Sequence, residues 1–278
     1  MSTNTAQFLS LYLHIPFCRT MCSYCAFNTY TDLDELIPDF VKALEREVRI
    51  LGNSNPGYPV HTIFFGGGTP SLLRPEHYVK LMSAINDSFR VVSEAEISIE
   101  TNPNDLSEDY LRGIRQTGIN RLSIGMQSAT PQVLELFHRR HDQKAVSSAV
   151  MSARRAGFEN ISLDLIFGAP HQALEDWKTT LDTALKLDVE HFSTYGLELK
   201  GGTVLTEQVE SGSVPRPDDD LAADMYDWTT EAMGSAGYAQ YELSNWCKPG
   251  FEARHNIQYW RIHPYLGLGP GAHGYVNR

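Results

Sequence analysis

The sequence predicts an α/β fold, a partial (β/α)6 barrel of the TIM type followed by a short aromatic and Gly/Pro-rich C-terminal extension. Three observations carry this. Strand-like apolar runs and helical periodicities alternate six times in succession, and parallel neighbours need crossovers of a dozen or more residues. The runs Ile63-Phe64-Phe65 and Leu163 to Phe167 are nearly continuous in apolar residues, as in strands covered on both faces. Right-handed crossovers then wind the sheet one way, into a barrel or part of one. Strand order alone leaves a doubly wound open sheet as the alternative.

The elements follow in order. Residues 9–17 mix apolar and β-branched side chains and run into Pro16: a strand feeding a cysteine loop. Over residues 34–51, Leu36, Ile37, Phe40, Val41, Leu44, Val48 and Leu51 recur at helical spacing, and Gly52 stops the helix. Residues 61–66 form a strand ending in Gly66-Gly67-Gly68, and a helix opens on Pro75. Strands over 95–100, 120–127, 160–167 and 191–199 alternate with helices over 107–117, 131–137, 143–156 and 174–187. These units make residues 1–210 the barrel core, with the cysteine loop at 18–25. Residues 211–278 are the extension, in which Asp218 caps a helix to about Ala232 and aromatic and Gly/Pro-rich chain follows.

Bulk properties exclude several classes. A formal net charge of -11 lacks the basic footprint that nucleic acid requires. The patch Arg139, Arg140 and His141 reads as a solvated helix face. Four cysteines in 278 residues do not make a secreted disulfide scaffold. The first residues have neither a basic nor an apolar leader segment, and no run approaches the ~18 apolar residues of a membrane span. The expectation is a chain in the reducing cytoplasm, with thiols available to metal.

Cys18, Cys22 and Cys25 stand four and three residues apart directly after the first strand. Four readings compete. A thioredoxin-like dithiol would open a helix, and here the periodic helix begins only near Asp34. A structural zinc site wants a fourth ligand, for which Cys247 or His14 are the candidates. Free thiols are the plain reading. Three thiolates on one tight loop also suit one face of a [4Fe-4S] cluster, leaving one iron open, and the spacing favours this reading. Cys247 itself reads as a spare thiol in a small-residue loop.

The cysteine motif resembles the signature of radical S-adenosylmethionine (SAM) enzymes, and the fold this implies is the radical SAM kind of partial barrel. In that superfamily the open iron binds the amino and carboxylate groups of SAM, and one electron from the cluster splits the sulfonium. Further motifs narrow the resemblance: Tyr12-x-His14-Ile-Pro-Phe-Cys18, Gly66-Gly-Gly-Thr69-Pro-Ser71, Arg121-Leu-Ser-Ile-Gly125-x-Gln127-Ser128, Asp164-Leu-Ile-Phe-Gly168-x-Pro170, His255-Asn-x2-Tyr259-Trp260 and Gly-Pro-Gly271-Ala-His273. Together they resemble oxygen-independent coproporphyrinogen III oxidase and its relatives. The decarboxylating oxidase carries a further cysteine two residues after the third, where this chain has Phe27, and a longer segment before its first strand. Both departures look like the HemW-type haem chaperones. The resemblance implies haem (or a porphyrin) as cargo, a haem-acceptor protein such as a respiratory enzyme, and an electron donor such as flavodoxin or ferredoxin. Decarboxylation, a coproporphyrinogen III dehydrogenase-like activity, is the enzyme alternative. The family usually continues into a smaller C-terminal domain, so the expectation is a chain without it.

By the same resemblance, SAM meets Tyr12, Tyr24, Gly67, Gly68, Thr69, Glu100, Gln127, Arg139 and Asp164. The residues themselves admit chemistry of this kind. Glycines at a strand end let backbone approach a ligand and expose N–H groups. Glu100 and Gln127 close their strands, where barrel sites lie. Arg139 suits a carboxylate bidentately. Asp164, inside an apolar strand, needs a ligand or a buried pair with Arg139. Tyr12 and Tyr24 can stack on adenine or simply pack. His255 is the candidate haem ligand, through a neutral imidazole. No residue is assigned a catalytic proton transfer.

Overall fold

A computed structural model describes residues 8–55 and 57–276. The leader-segment reading falls largely on residues 1–7, outside the described residues. No described helix is long and apolar enough to cross a membrane.

Among the described residues nine strands form one sheet. β1 (Leu9–Ile15), β2 (Pro59–Gly67), β3 (Arg90–Thr101), β4 (Arg121–Gln127), β5 (Ile161–Phe167) and β6 (His191–Gly196) lie side by side in chain order. Each is parallel to the next. A doubly wound sheet reverses its strand order at a switch point. Here the order from β1 to β6 never reverses, so the open-sheet alternative falls and the strands wrap as a partial barrel.

The helices form the outer layer. α1 (Ile37–Ser54) buries Ile37, Val41, Leu44 and Val48 along one stripe. α2 (Pro75–Ser88), α3 (Glu108–Gln116), α4 (Pro131–Leu136), α5 (Gln143–Arg155) and α6 (Leu174–Leu185) follow their strands. Their starts are set locally: the Ser107 and Asp142 side chains accept the Tyr110 and Ala145 amide N–H groups. Strand residues Leu11, Leu13, Ile63, Phe65, Ile97, Ile99, Leu122 and Leu163 join the core between sheet and helices. Alternate residues face inward, and many are polar: Ser10, Thr62, Ser98, Ser123 and Ser193 are buried on that face. The expectation of apolar strands on both faces therefore holds for one face only. The inner face lines a cavity.

The extension continues the same sheet. After α7 (Val204–Glu210) and α8 (Asp219–Ser235), the short strands β7 (Ala239–Glu242) and β8 (Asn245–Cys247) add antiparallel pairs beyond β6. At the other edge β9 (Tyr265–Leu268) pairs parallel with β1. Between them α9 (Arg254–Trp260) lies against the inner face: His255 stacks on Phe64 at 5.1 Å and hydrogen-bonds Thr62. Glu96 of β3 fixes it there by accepting the Arg254 and His255 amide N–H groups at 3.0 and 2.9 Å. Those two N–H groups have no partner within the helix.

Candidate cofactor cavity

A cavity of about 610 Å³ occupies the inside of the curled sheet. The cysteine loop stands at the C-terminal ends of the strands, and α9 stands near their N-terminal ends. Cys18, Cys22 and Cys25 all face the cavity, and none is disulfide-bonded. The loop is pinned from three sides. His14 Nε2–H donates to the Asn28 carbonyl at 2.8 Å, leaving Nδ1 to accept from the Tyr12 hydroxyl at 3.0 Å. Ser23 donates to the Leu136 carbonyl at the end of α4. The Leu205 N–H, in α7, donates to the Ser23 carbonyl at 2.8 Å.

Among the described residues no three His, Cys, Asp or Glu side chains converge on the position of one metal ion. A tetrahedral zinc with bonds of about 2.3 Å would draw its thiolates together. His14 is no fourth ligand, because both ring nitrogens are engaged. Cys247 is none either: it is buried in β8, a strand rather than the expected loop, opposite His191. Three thiols set around one cavity wall fit the face of a multi-iron cluster better. Burial pushes the Cys18 and Cys25 thiols up, while a Thr69 hydrogen bond and the Arg139 charge pull Cys18 back down.

The glycine turn is built around this loop. A Cβ on Gly68 would stand 2.6 Å from the Phe17 carbonyl oxygen and 3.0 Å from Cys18 Sγ. Gly67 has φ +114, and a Cβ there would meet the His14 ring at 2.6 Å. One expectation is corrected. The Gly67 N–H donates to Glu100 at 3.0 Å, the Gly68 N–H to the Ile15 carbonyl and the Thr69 N–H to the Phe17 carbonyl. These N–H groups are engaged within the protein, so the turn can meet a ligand through carbonyl oxygens instead. Gly67, Gly68 and Thr69 do line the cavity, and Thr69 Oγ1 lies 3.5 Å from Cys18 Sγ.

The strand ends bring the remaining residues together. Tyr12, Glu100, Gln127, Arg139 and Asp164 all border the cavity. Gln127 reaches it from a backbone with φ 62, at a break in the β4–β5 register. A non-glycine residue held there is a strained position of the kind found at functional sites. Burial, with Asp164 nearby, pushes the Glu100 carboxyl up to about 8. Burial also raises Asp164, against hydrogen bonds from Ser123 at 2.8 and 2.9 Å. The expected Asp164–Arg139 pair does not form. Arg139 instead donates to the Gly125 carbonyl at 2.9 Å and lies 3.5 Å from Cys22 Sγ, with its Nε buried and unpartnered. Nor is 139–141 a solvated helix face. It is irregular chain between α4 and α5, and His141 is buried with Nε2–H on the Met126 carbonyl. Tyr24 lines the cavity while packing edge-on against Phe137, with ring centroids 4.7 Å apart. Phe27 stands at the mouth, 70% exposed.

His255 also borders the cavity, but its geometry opposes the axial-ligand expectation. It is 2% exposed; Nδ1 lies 2.8 Å from Thr62 Oγ1 and Nε2 lies 2.9 Å from the Tyr259 hydroxyl. The Thr62 proton goes to Ser10 at 2.6 Å, so Nδ1–H donates to Thr62 and Nε2 accepts from Tyr259. The lone pair that would bind iron is already engaged. Burial, with the His61 and Arg121 charges, lowers this imidazole to about 3, so it is neutral at pH 7. Sequence reasoning also passed over the floor of the cavity, where Arg121, Ser193 and His191 surround the space under Asp164. Only alternation along the strands signals these residues.

Six parallel strands curled around a cavity, with three cysteines on the loop after the first, define a class. The chain belongs to the radical SAM superfamily, whose family model matches residues 12–184. Curated relatives narrow this. The "Heme chaperone HemW" of Mycobacterium tuberculosis is 41% identical over 273 residues, covering 97% of this chain and 70% of that protein. The protein of the same name from Bacillus subtilis is 42% identical over 269 residues, covering 96% and 71%. The chain therefore belongs to the HemW family. Among solved structures, "Coproporphyrinogen III oxidase (HemN) from Escherichia coli" superposes with a TM-score of 0.86 at 26% identity. That match covers 97% of this chain and 65% of that one.

Proposed function

We propose that this chain is a haem chaperone, binding haem and delivering it to an acceptor protein, built on a SAM-binding [4Fe-4S] barrel. The observation that supports it best is the cavity rim, where Cys18, Cys22 and Cys25 face one space and Phe27 occupies the position at which the oxidase carries another cysteine. When bound, the cluster supplies a one-electron donor and an iron open to an amino-acid head group. The three cysteines hold it as thiolates, and Arg139 offsets their charge from beside Cys22. Arg139, whose Nε is buried without a partner, would take the SAM carboxylate. Glu100 and Gln127 orient the amine and ribose hydroxyls, and Asp164, held by Ser123, closes the polar wall. Tyr12 and Tyr24 give flat apolar surface, and Gly67, Gly68 and Thr69 allow close backbone approach. The electron donor is a flavodoxin- or ferredoxin-like carrier, and the acceptor a haem enzyme such as a respiratory one. Both act on a chain of the cytoplasm.

Anaerobic reconstitution with iron and sulfide tests the base of this reading. Wild type should gain charge-transfer absorbance and about four irons per chain, and the Cys18, Cys22 and Cys25→Ala triple variant should gain neither. Retention of the absorbance by the triple variant would contradict the assignment. The oxidase is the second reading, favoured by the HemN superposition. Release of carbon dioxide from coproporphyrinogen III would establish it.

A further inference from the structure

Arg121 opens β4 at the end of the strand far from the cysteine loop. It is 3% exposed and lines the cavity floor. Its Nε is buried without a hydrogen-bond partner, and so is the hydroxyl of Ser98, its neighbour across the β3–β4 register. Among the described residues no carboxylate lies within ion-pair distance of its guanidinium. Glu96 accepts the N–H groups of α9 and stands 4.0 Å from Arg254. Asp164 is held by Ser123. The other titratable side chains that feel its charge, His191, His255, Tyr241 and Cys247, are uncharged at neutral pH: burial, with the Arg121 charge, lowers the two imidazoles, and burial raises the phenol and the thiol.

A guanidinium cannot shed its charge at any ordinary pH, and a buried charge left uncompensated is strongly unfavourable. Five donors in a planar fork match a carboxylate bidentately. We propose that Arg121 forms a carboxylate-binding subsite at the cavity floor, and that it takes a propionate of the porphyrin cargo. This rests on the haem reading above for its ligand, though not for its chemistry. Arg139 contacts Gly125, four residues along β4 from Arg121, a backbone distance of roughly 13 Å. A SAM carboxylate held at Arg139 beside the cysteines does not reach the floor. A second carboxylate does, and a porphyrin entering edge-first leads with its propionates.

The test is absorbance and calorimetric titration of anaerobically reconstituted wild type, Arg121→Met and Arg121→Lys. The probes are haem, haem dimethyl ester and SAM. The proposal expects Arg121→Met to weaken haem binding by about tenfold or more, with Arg121→Lys in between. Esterification should weaken haem binding to wild type and have little further effect on Arg121→Met. SAM affinity should be unchanged. Because the substitution removes an unpaired buried charge, the urea midpoint of ligand-free Arg121→Met should equal or exceed that of wild type. A loss confined to SAM overturns the proposal. Unchanged affinity for both ligands, with or without a lower midpoint, overturns it. A wild type that binds SAM but no haem contradicts the chaperone reading and, with it, the propionate assignment, whereas haem binding that Arg121→Met leaves unchanged overturns the subsite alone.

Discussion

At Gly68 the chain has room for a hydrogen and nothing larger, since a Cβ would press on the Phe17 carbonyl and on Cys18 Sγ. Gly68→Ala should therefore cost about 2 kcal/mol or more, read as a lowered urea midpoint, and should reduce iron uptake on reconstitution. An unchanged midpoint and iron content would mean that the loop yields freely. His255 makes the opposite kind of prediction. His255→Ala breaks hydrogen bonds to Thr62 and Tyr259 and empties buried volume, so it should destabilise by about 2–3 kcal/mol. Haem stoichiometry should survive. Loss of haem binding in a stably folded His255→Ala chain would restore the axial ligand. The three cysteines were legible because their spacing is local. The fate of His255 was not, because Thr62 lies 193 positions upstream and only the wrapped sheet brings them together. The roles of Gly67 to Thr69 were half legible: the close approach could be read, but not the carbonyls and carboxylate that take their N–H groups.

Among elements, α9 depends most on one distant side chain. It has seven residues, too few to be stable alone. Glu96 caps it across 158 and 159 residues of sequence separation. Glu96→Ala should cost about 2–3 kcal/mol in urea unfolding and speed amide exchange over residues 254–260, because the buried His255 N–H and the part-buried Arg254 N–H lose their acceptor. Protection equal to wild type would show that stacking of His255 on Phe64 suffices. The six strands and their helices could be read because each helix carries a long apolar stripe and glycine or proline boundaries. β7, β8 and β9 could not. They are four, three and four residues long; β8 pairs with β6, β7 only with β8, and β9 with β1. So short a run has no period to detect, and the same aromatic, Gly/Pro-rich stretch reads equally well as loop.

The whole molecule encloses ionisable groups that oppose one another. Glu100, pushed up to about 8, is protonated in the folded chain where the unfolded chain ionises it. Its contribution is present below pH ~4.5 and is lost as pH rises towards 8. His255 and His141, lowered to about 3 and about 4, stay neutral where the unfolded chain takes up protons. Stability should thus also fall as pH drops below ~6.5. The ligand-free chain should be most stable near pH ~6, and Glu100→Gln should flatten the alkaline side by on the order of 2 kcal/mol in thermal or urea unfolding. Parallel alkaline slopes for wild type and variant would contradict that account of the cavity. These groups share an interior because the strands curl, and the curl is also what turns a cysteine motif into the rim of a cavity with Phe27 at its mouth. The claim that this space serves haem delivery is tested most directly by one experiment: haem titration of the reconstituted chain, with a coproporphyrinogen III assay on the same sample. The account predicts saturable binding of about one haem per chain and no release of carbon dioxide. Decarboxylation of coproporphyrinogen III without saturable haem binding would contradict it.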